Sequence, residues 1–171
     1  MLKEIFSNRI LLSYTTDEHL PIVIDMEKKN SKFVFSWTEE QHKKEIADPD
    51  KLHLVIKSKL NDRLLGYIII GGLKSKDKSM ELKRIVVNEK GCGYGKESIG
   101  LIKKFCFDVK GFHRLWLDVF DDNKAAIRLY LKEGFVKEGL MRECKKNGEA
   151  YRSMFLMSIL EHEYNKAATI K

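Results

Sequence analysis

The sequence predicts an α/β fold, a single domain built on a mixed, mostly antiparallel twisted sheet flanked by helices. Three observations predict it. Apolar, β-branched runs at His53–Lys57, Leu64–Leu73 and Met80–Val87 are separated only by the short polar segments Asn61-Asp62 and Lys74–Lys78, as in an antiparallel meander. Strand and helix patterns alternate after it, which requires a mixed sheet with helices packed on its faces. A chain of 171 residues with 43% hydrophobic residues is long enough for one well-filled core and short for two.

The elements follow in order. Arg9–Tyr14 reads as a first strand, and Thr16 and Asp17 offer caps to a helix over Glu18–Lys29. Thr38 with Gln41 has the spacing of a capping box, in which each side chain satisfies the other's free backbone amide. It opens a second helix that stops before Pro49, whose ring disfavours helical backbone in the residue ahead of it. After the meander, Ile99, Ile102, Cys106 and Val109 recur at helical spacing with lysines opposite. They predict an amphipathic helix over Tyr94–Val109, closed by Gly111. Arg114–Phe120 is a short buried strand, Asn123–Glu133 a helix ended by Gly134, and Phe135–Cys144 another strand. Asn147-Gly148 turns the chain into a last strand, Tyr151–Leu160, whose two faces are both largely apolar.

Composition excludes several function classes. The net charge of +7 comes with 33% charged residues of both signs spread along the chain, the pattern of a solvated surface with a preference for anionic partners. No RNP-like, KH or zinc-finger pattern accompanies it, which argues against nucleic acid. Cys92, Cys106 and Cys144 have neither close pairing nor a histidine at ligand spacing, so they are read as free thiols, and no metal is expected. The five histidines are scattered and are assigned to surface or capping positions. Neither end carries a secretory apolar region, and the longest apolar runs fall far short of the ~20 residues that span a bilayer. A cytoplasmic protein without membrane contact is expected.

The chemistry concentrates where the strand ending at Val87 hands over to a helix. Lys90-Gly91-Cys92-Gly93-Tyr94-Gly95-Lys96 leaves successive backbone N–H groups free at the positive end of a helix dipole, a ready site for phosphate. The glycines let the backbone approach a pyrophosphate, and Lys90 and Lys96 add charge. A Walker loop needs Ser or Thr after Gly-Lys, but Glu97 follows Lys96. A dinucleotide fingerprint needs G-x-G-x-x-G early in a parallel sheet, whereas this loop reads G-x-G-x-G and comes late.

Lys90, Gly93 and Gly95 occupy the places of the pyrophosphate-loop pattern of the GNAT acyltransferase superfamily, with lysine where the family has Gln or Arg. Downstream, the strand Leu115–Asp118 precedes Asn123, Ala126, Tyr130 and Gly134-Phe135, which resemble the family's Asn, Ala, Tyr, Gly-Phe block. The matched blocks run from about Glu81 to Leu160, while the N-terminal third resembles the family only in its order of elements. Gly139-Leu140-Met141-Arg142, Asn147-Gly148, Tyr151-Arg152, Met157 and Glu163-Tyr164 are similar to the branch holding the ribosomal-protein and spermidine N-acetyltransferases.

The resemblance implies acetyl-CoA as co-substrate and direct attack by a primary amine in a ternary complex. It makes Tyr130 the proton donor to the departing sulfur, the alternative being a core tyrosine. Asn123 resembles the residue that bonds the pantetheine arm, but it also stands where a helix N-cap is wanted; Asp122 is the other candidate for that cap. Glu81 matches the base of some members, against a solvated strand-end glutamate, with Glu143 and Glu149 as further candidates. Ile85, Val86 and Val87 end the strand whose backbone pairs with pantetheine, and this strand is expected to diverge from the one through Leu117.

The acceptor is expected to be a polyamine, another small amine or a protein N-terminus. Phe33 and Trp37 are candidates to line its pocket. Asp25, Glu27, Glu39 and Glu40 lie in the region the resemblance assigns to it. A homodimer is a candidate assembly. The competing function is a catalytically silent CoA-binding regulatory module, against which the intact Tyr130 argues.

Overall fold

The computed structural model describes residues 5–169. The meander signals become real strands because each apolar run can be buried on both sides. β1 (Ile5–Phe6), β2 (Ile10–Tyr14), β3 (Lys51–Ser58), β4 (Leu64–Gly71) and β5 (Ser79–Val87) pair antiparallel in sequence order. β6 (Arg114–Phe120) joins β5 in parallel. β7 (Val136–Asn147) and β8 (Ala150–Leu160) form a long hairpin whose β8 strand pairs with β6, so the eight-stranded order ends β5-β6-β8-β7. The helices are α1 (Leu20–Lys29), α2 (Glu39–Ala47), α3 (Tyr94–Lys104), α4 (Lys124–Lys132) and α5 (Glu161–Thr169).

Strand alternation sorts the apolar residues into two cores. Leu54, Ile56, Ile68 and Ile70 pack with Ile99 and Ile102 of α3 and Ile127 of α4, whereas Val55, Tyr67, Ile69 and Val86 pack with Val23 and Met26 of α1. With α3 and α4 on one face and α1 on the other, the central strands read as continuous apolar runs.

Most predicted boundaries hold to within a few residues. Thr38 and Gln41 form the capping box expected of them. The helix predicted over Tyr94–Val109 is α-helical only to Lys104, and Phe105–Val109 widens into one π-helical turn. The short β1 and α5 carry too few periodic residues to be read from sequence alone. Among the described residues no helix is long and apolar enough to cross a membrane.

The assignment of all histidines to surface or caps is wrong for two of them. His42 and His53 are buried, on α2 and on the α1 side of β3. They form a chain with Thr15: His53 Nδ1 lies 2.8 Å from Thr15 Oγ1, and its Nε2 lies 3.0 Å from His42 Nδ1. The other nitrogen of His42 lies 3.3 Å from Glu27 Oε1. Glu27 is itself fully buried and takes hydrogen bonds from Tyr67 Oη, Arg84 Nη1 and, at 2.7 Å, the Trp37 amide. Burial works against its ionisation, but the bonds from His42, Tyr67 and Trp37 and the charge of Arg84 outweigh it and hold the carboxyl below its ordinary range. The members of this cluster sit on separate elements, which is why sequence spacing could not reveal it.

Candidate active site

β5 and β6 are in register only over Ser79–Arg114, Met80–Leu115 and Glu81–Trp116. Beyond that point they part, because β6 continues along β8 to Phe120 while β5 continues along β4 to Val87. The divergence expected from the sequence is therefore present. The edge of β5 from Leu82 to Val87 that turns toward β6 has no strand partner among the described residues. Ile85 and Val87 lean on the α3 core and Val86 is buried in the α1 core.

α3 starts at the mouth of this opening. Gly93 is its N-cap with φ of 82°, a left-handed conformation open to glycine at little cost, and no side chain caps the helix. The first intrahelical acceptor is Gly93 O, used by Glu97, so the amides of Tyr94, Gly95 and Lys96 point out of the helix end. Lys90, Gly91, Cys92, Gly93 and Lys96 are exposed, as an anion cradle requires. Gly95 serves differently from the other glycines: a Cβ there would lie 3.4 Å from Leu129 of α4, so its smallness concerns the approach of α3 to α4.

Tyr130 lies on α4, 6% exposed, its ring 5.7 Å from that of Phe135. No hydrogen-bond partner for its hydroxyl is found among the described residues. Burial, with the charge of Asp118 as a second cause, pushes its acidity down.

Asp118 is a candidate that the sequence reading did not name. An acid within the apolar run Leu115–Phe120 was the available signal. It follows Trp116 by two residues, so Glu81, its register partner Trp116, and Asp118 share one sheet face. Both carboxyls are raised, Glu81 by burial and then by the charge of Asp118, and Asp118 by burial against the opposing pull of Lys145. Glu81 has no hydrogen bond or ion pair among the described residues, whereas its neighbour Lys83 is engaged with Glu45 at 2.7 Å. Glu143 and Glu149 are exposed on the hairpin.

Asn123 is the N-cap of α4: its Oδ1 accepts from the Ala126 amide at 3.2 Å. Asp122 is thus not the cap; it pairs with Arg152 at 2.7 Å. The cap uses one lone pair of the Asn123 oxygen and leaves its second lone pair and Nδ2 for a coenzyme.

Aromatic residues wall the same face. Phe33 and Phe35, between α1 and α2, lie 6.5 and 5.9 Å from Phe120, and Arg152 stacks on Phe120 at 3.6 Å while donating to Lys32 O at 2.7 Å. Trp37 stacks on Arg84 at 3.8 Å. Of the acids proposed for a cationic acceptor, Glu27 is buried and fully engaged, Asp25 pairs with Lys29 and Glu39 with Lys43.

The family model of the acetyltransferase (GNAT) family matches residues 23–135. A spermidine N(1)-acetyltransferase of Vibrio cholerae is 29% identical over 132 residues, covering 76% of this chain and 75% of that protein. The uncharacterized N-acetyltransferase YoaA of Bacillus subtilis is 34% identical over 90 residues, 52% of this chain and 51% of the relative. The crystal structure of the V. cholerae spermidine N-acetyltransferase in complex with CoA and spermine superposes with a TM-score of 0.82 at 21% identity, over 93% of this chain and 99% of that one. The same enzyme has also been solved as a dodecamer. With the parted strands, the glycine-capped helix and the match across residues 23–135 together, the chain belongs to the acetyltransferase (GNAT) family, as an acetyl-CoA-dependent N-acetyltransferase.

Proposed function

We propose that residues 1–171 form one acetyltransferase domain that acetylates an aliphatic primary amine, with polyamines as its acceptor class, at the opening between β5 and β6. The carrying observation is the parting of β5 and β6 beyond Glu81 and Trp116, which leaves Glu81 and Asp118 on one sheet face of the opening and Tyr130, on α4, at the other. The names of the relatives support the polyamine choice. Acetyl-CoA enters with its pyrophosphate on the amides of Tyr94, Gly95 and Lys96 and its pantetheine along Ile85–Val87.

An aliphatic ammonium has no lone pair, so it must lose a proton before it attacks the thioester carbonyl. Glu81 takes that proton. A carboxyl of raised pKa holds it better than an ordinary one; burial raises that of Glu81 first and the charge of Asp118 second, and Asp118 adds negative charge for the incoming cation. As the C–N bond forms and the C–S bond breaks, the electron pair moves to sulfur, and the second proton that nitrogen sheds goes to the departing thiolate to give the free thiol. Tyr130 donates a hydrogen bond there. A free thiol has a pKa of ~8.5 and a phenol one of ~10, and the site pushes the phenol higher still. Complete proton transfer from Tyr130 is therefore uphill, and its contribution is stabilisation of developing thiolate.

The copy number follows the dodecameric relative: we read the protein as a homo-oligomer, which light scattering of the pure protein tests. Thiol release from acetyl-CoA across spermidine, spermine, aminoglycosides, amino acids and N-terminal peptides tests the activity. Release with polyamines and an acetylated amine by mass spectrometry is expected. Release only with peptides would move the acceptor class, and coenzyme binding with no release on any amine would leave a silent CoA-binding module.

A further inference from the structure

The turn between β1 and β2 reaches the coenzyme loop, which lies more than eighty residues away in sequence. Arg9 Nε donates to Glu97 Oε2 at 2.8 Å and Nη2 lies 2.5 Å from the same oxygen. Its Nη1 donates to the Cys92 carbonyl at 3.1 Å, and its guanidinium sits 5.0 Å from the centre of the Tyr94 ring. Ser7 Oγ donates to the other oxygen of Glu97. A single side chain from the sheet edge therefore touches the loop before the helix, the first turn of the helix and the carboxylate within that turn.

Glu97 stands in that first turn, where an anionic ligand is to bind. An acidic residue there favours the helix through its dipole but opposes a second anion at the same end. The Cys92 carbonyl, one residue ahead of the cap, also presents negative charge to a phosphate unless a donor holds it. Resting on the coenzyme reading above, we propose that Arg9 is the positioning residue of the coenzyme loop, neutralising Glu97 and holding the Cys92 carbonyl so that the helix end accepts pyrophosphate. The guanidinium suits this task better than an ammonium, because its planar fork engages a carboxylate and a carbonyl together. Burial works against ionisation of Glu97, but the bonds from Ser7 and Arg9 outweigh it and keep the carboxyl below its ordinary range. The glutamate is thus charged at neutral pH and depends on its partner for compensation. Arg9 is half-exposed and Glu97 mostly covered, so loss of the arginine leaves the carboxylate at the cradle with little water to screen it.

Arg9 acts through the loop and touches no reacting atom, so its signature is in coenzyme affinity rather than turnover. Calorimetric titration of acetyl-CoA and steady-state kinetics on the full chain, comparing wild type, R9A, E97Q and R9A/E97Q, test it. R9A should weaken acetyl-CoA binding about tenfold, with kcat at saturating coenzyme within about twofold and the deficit growing as salt is lowered. E97Q should bind at least as tightly as wild type, and R9A/E97Q should recover most of what R9A loses. A merely structural contact predicts the opposite: E97Q weakens binding and adds to the R9A defect, with melting temperature falling in step. That outcome, or unchanged affinity in R9A while wild type binds normally, overturns the role of Arg9 and leaves the coenzyme reading standing. Failure of the wild-type protein itself to bind acetyl-CoA overturns both.

Discussion

Glu81 and Trp116 are the last residues paired in register across β5 and β6. Glu81 is the base of the proposed site, and the rest of that site follows from this point: the free edge of β5, Asp118 two residues along β6, and Tyr130 on the helix that β6 leads into. Glu81 is half-buried there, at the end of the paired stretch.

Asp118→Asn should move the acid limb of the pH–rate profile to lower pH. The charge of Asp118 is one cause of the raised pKa of Glu81, so removing it lets Glu81 lose its proton earlier as pH rises. Glu81→Gln should cost about 10²-fold in kcat/KM and flatten that limb. Initial rates with spermidine between about pH 6 and about pH 8 measure both. A wild-type profile and rate in both variants would remove the carboxylates from the chemistry.

Gly93→Val should weaken acetyl-CoA binding by about tenfold or more. At φ of 82° any side chain is strained, and a Cβ would lie 3.3 Å from Arg9 Nη2. Coenzyme titration on a variant with a normal melting temperature checks it; unchanged affinity would place the pyrophosphate elsewhere.

Acid should destabilise the protein earlier than carboxylate titration alone explains. Burial, and then the charge of His42, pulls His53 from 6.5 down to about 4. Its folded pKa lies below its unfolded one, so between those two values the unfolded chain binds the extra proton. Stability is therefore intact above pH 6.5 and falls as pH drops toward 4, by about 3 kcal/mol for the full shift. Below that, protonation of Glu27, whose pKa is also depressed, continues the loss. Urea unfolding at pH 7 and pH 4.5 measures the fall, and His53→Gln, which cannot titrate, should flatten it. Equal stability at both pH values would mean that His53 can carry charge in its buried position.

Glu27→Ala should cost about 3 kcal/mol or more, since it leaves Arg84 and Tyr67 without their shared partner and frees the Trp37 amide. A loss below 1 kcal/mol by chemical denaturation would mean that water replaces the carboxylate readily.

The parts of the site written in local pattern were legible in the sequence. The glycines at 91, 93 and 95 followed a strand and opened a helix, and Asn123 to Phe135 held a recognisable block, so the glycine-capped helix start and the α4 placement of Tyr130 could be expected directly. Long-range register hid the rest. Asp118 gains its meaning only from pairing with β5, and Arg9 meets Glu97 across 88 residues. Glu27 was grouped with the acids of the acceptor region because a helix shows its carboxylates without showing what packs above them. The cap at Asn123 was ambiguous for a chemical reason, since one amide side chain suits both a helix end and a pantetheine.

Tyr130→Phe removes one hydroxyl and keeps the ring that packs against Phe135. The direct measurement is kcat for acetyl transfer by this variant, taken alongside its acetyl-CoA affinity and melting temperature. A hydroxyl that stabilises only the developing thiolate predicts a loss of ~10²-fold in turnover with the other two quantities nearly unchanged, because neither depends on charge that arises in the transition state. Near-normal turnover by a well-folded variant, or activity that falls only in step with stability, would contradict it.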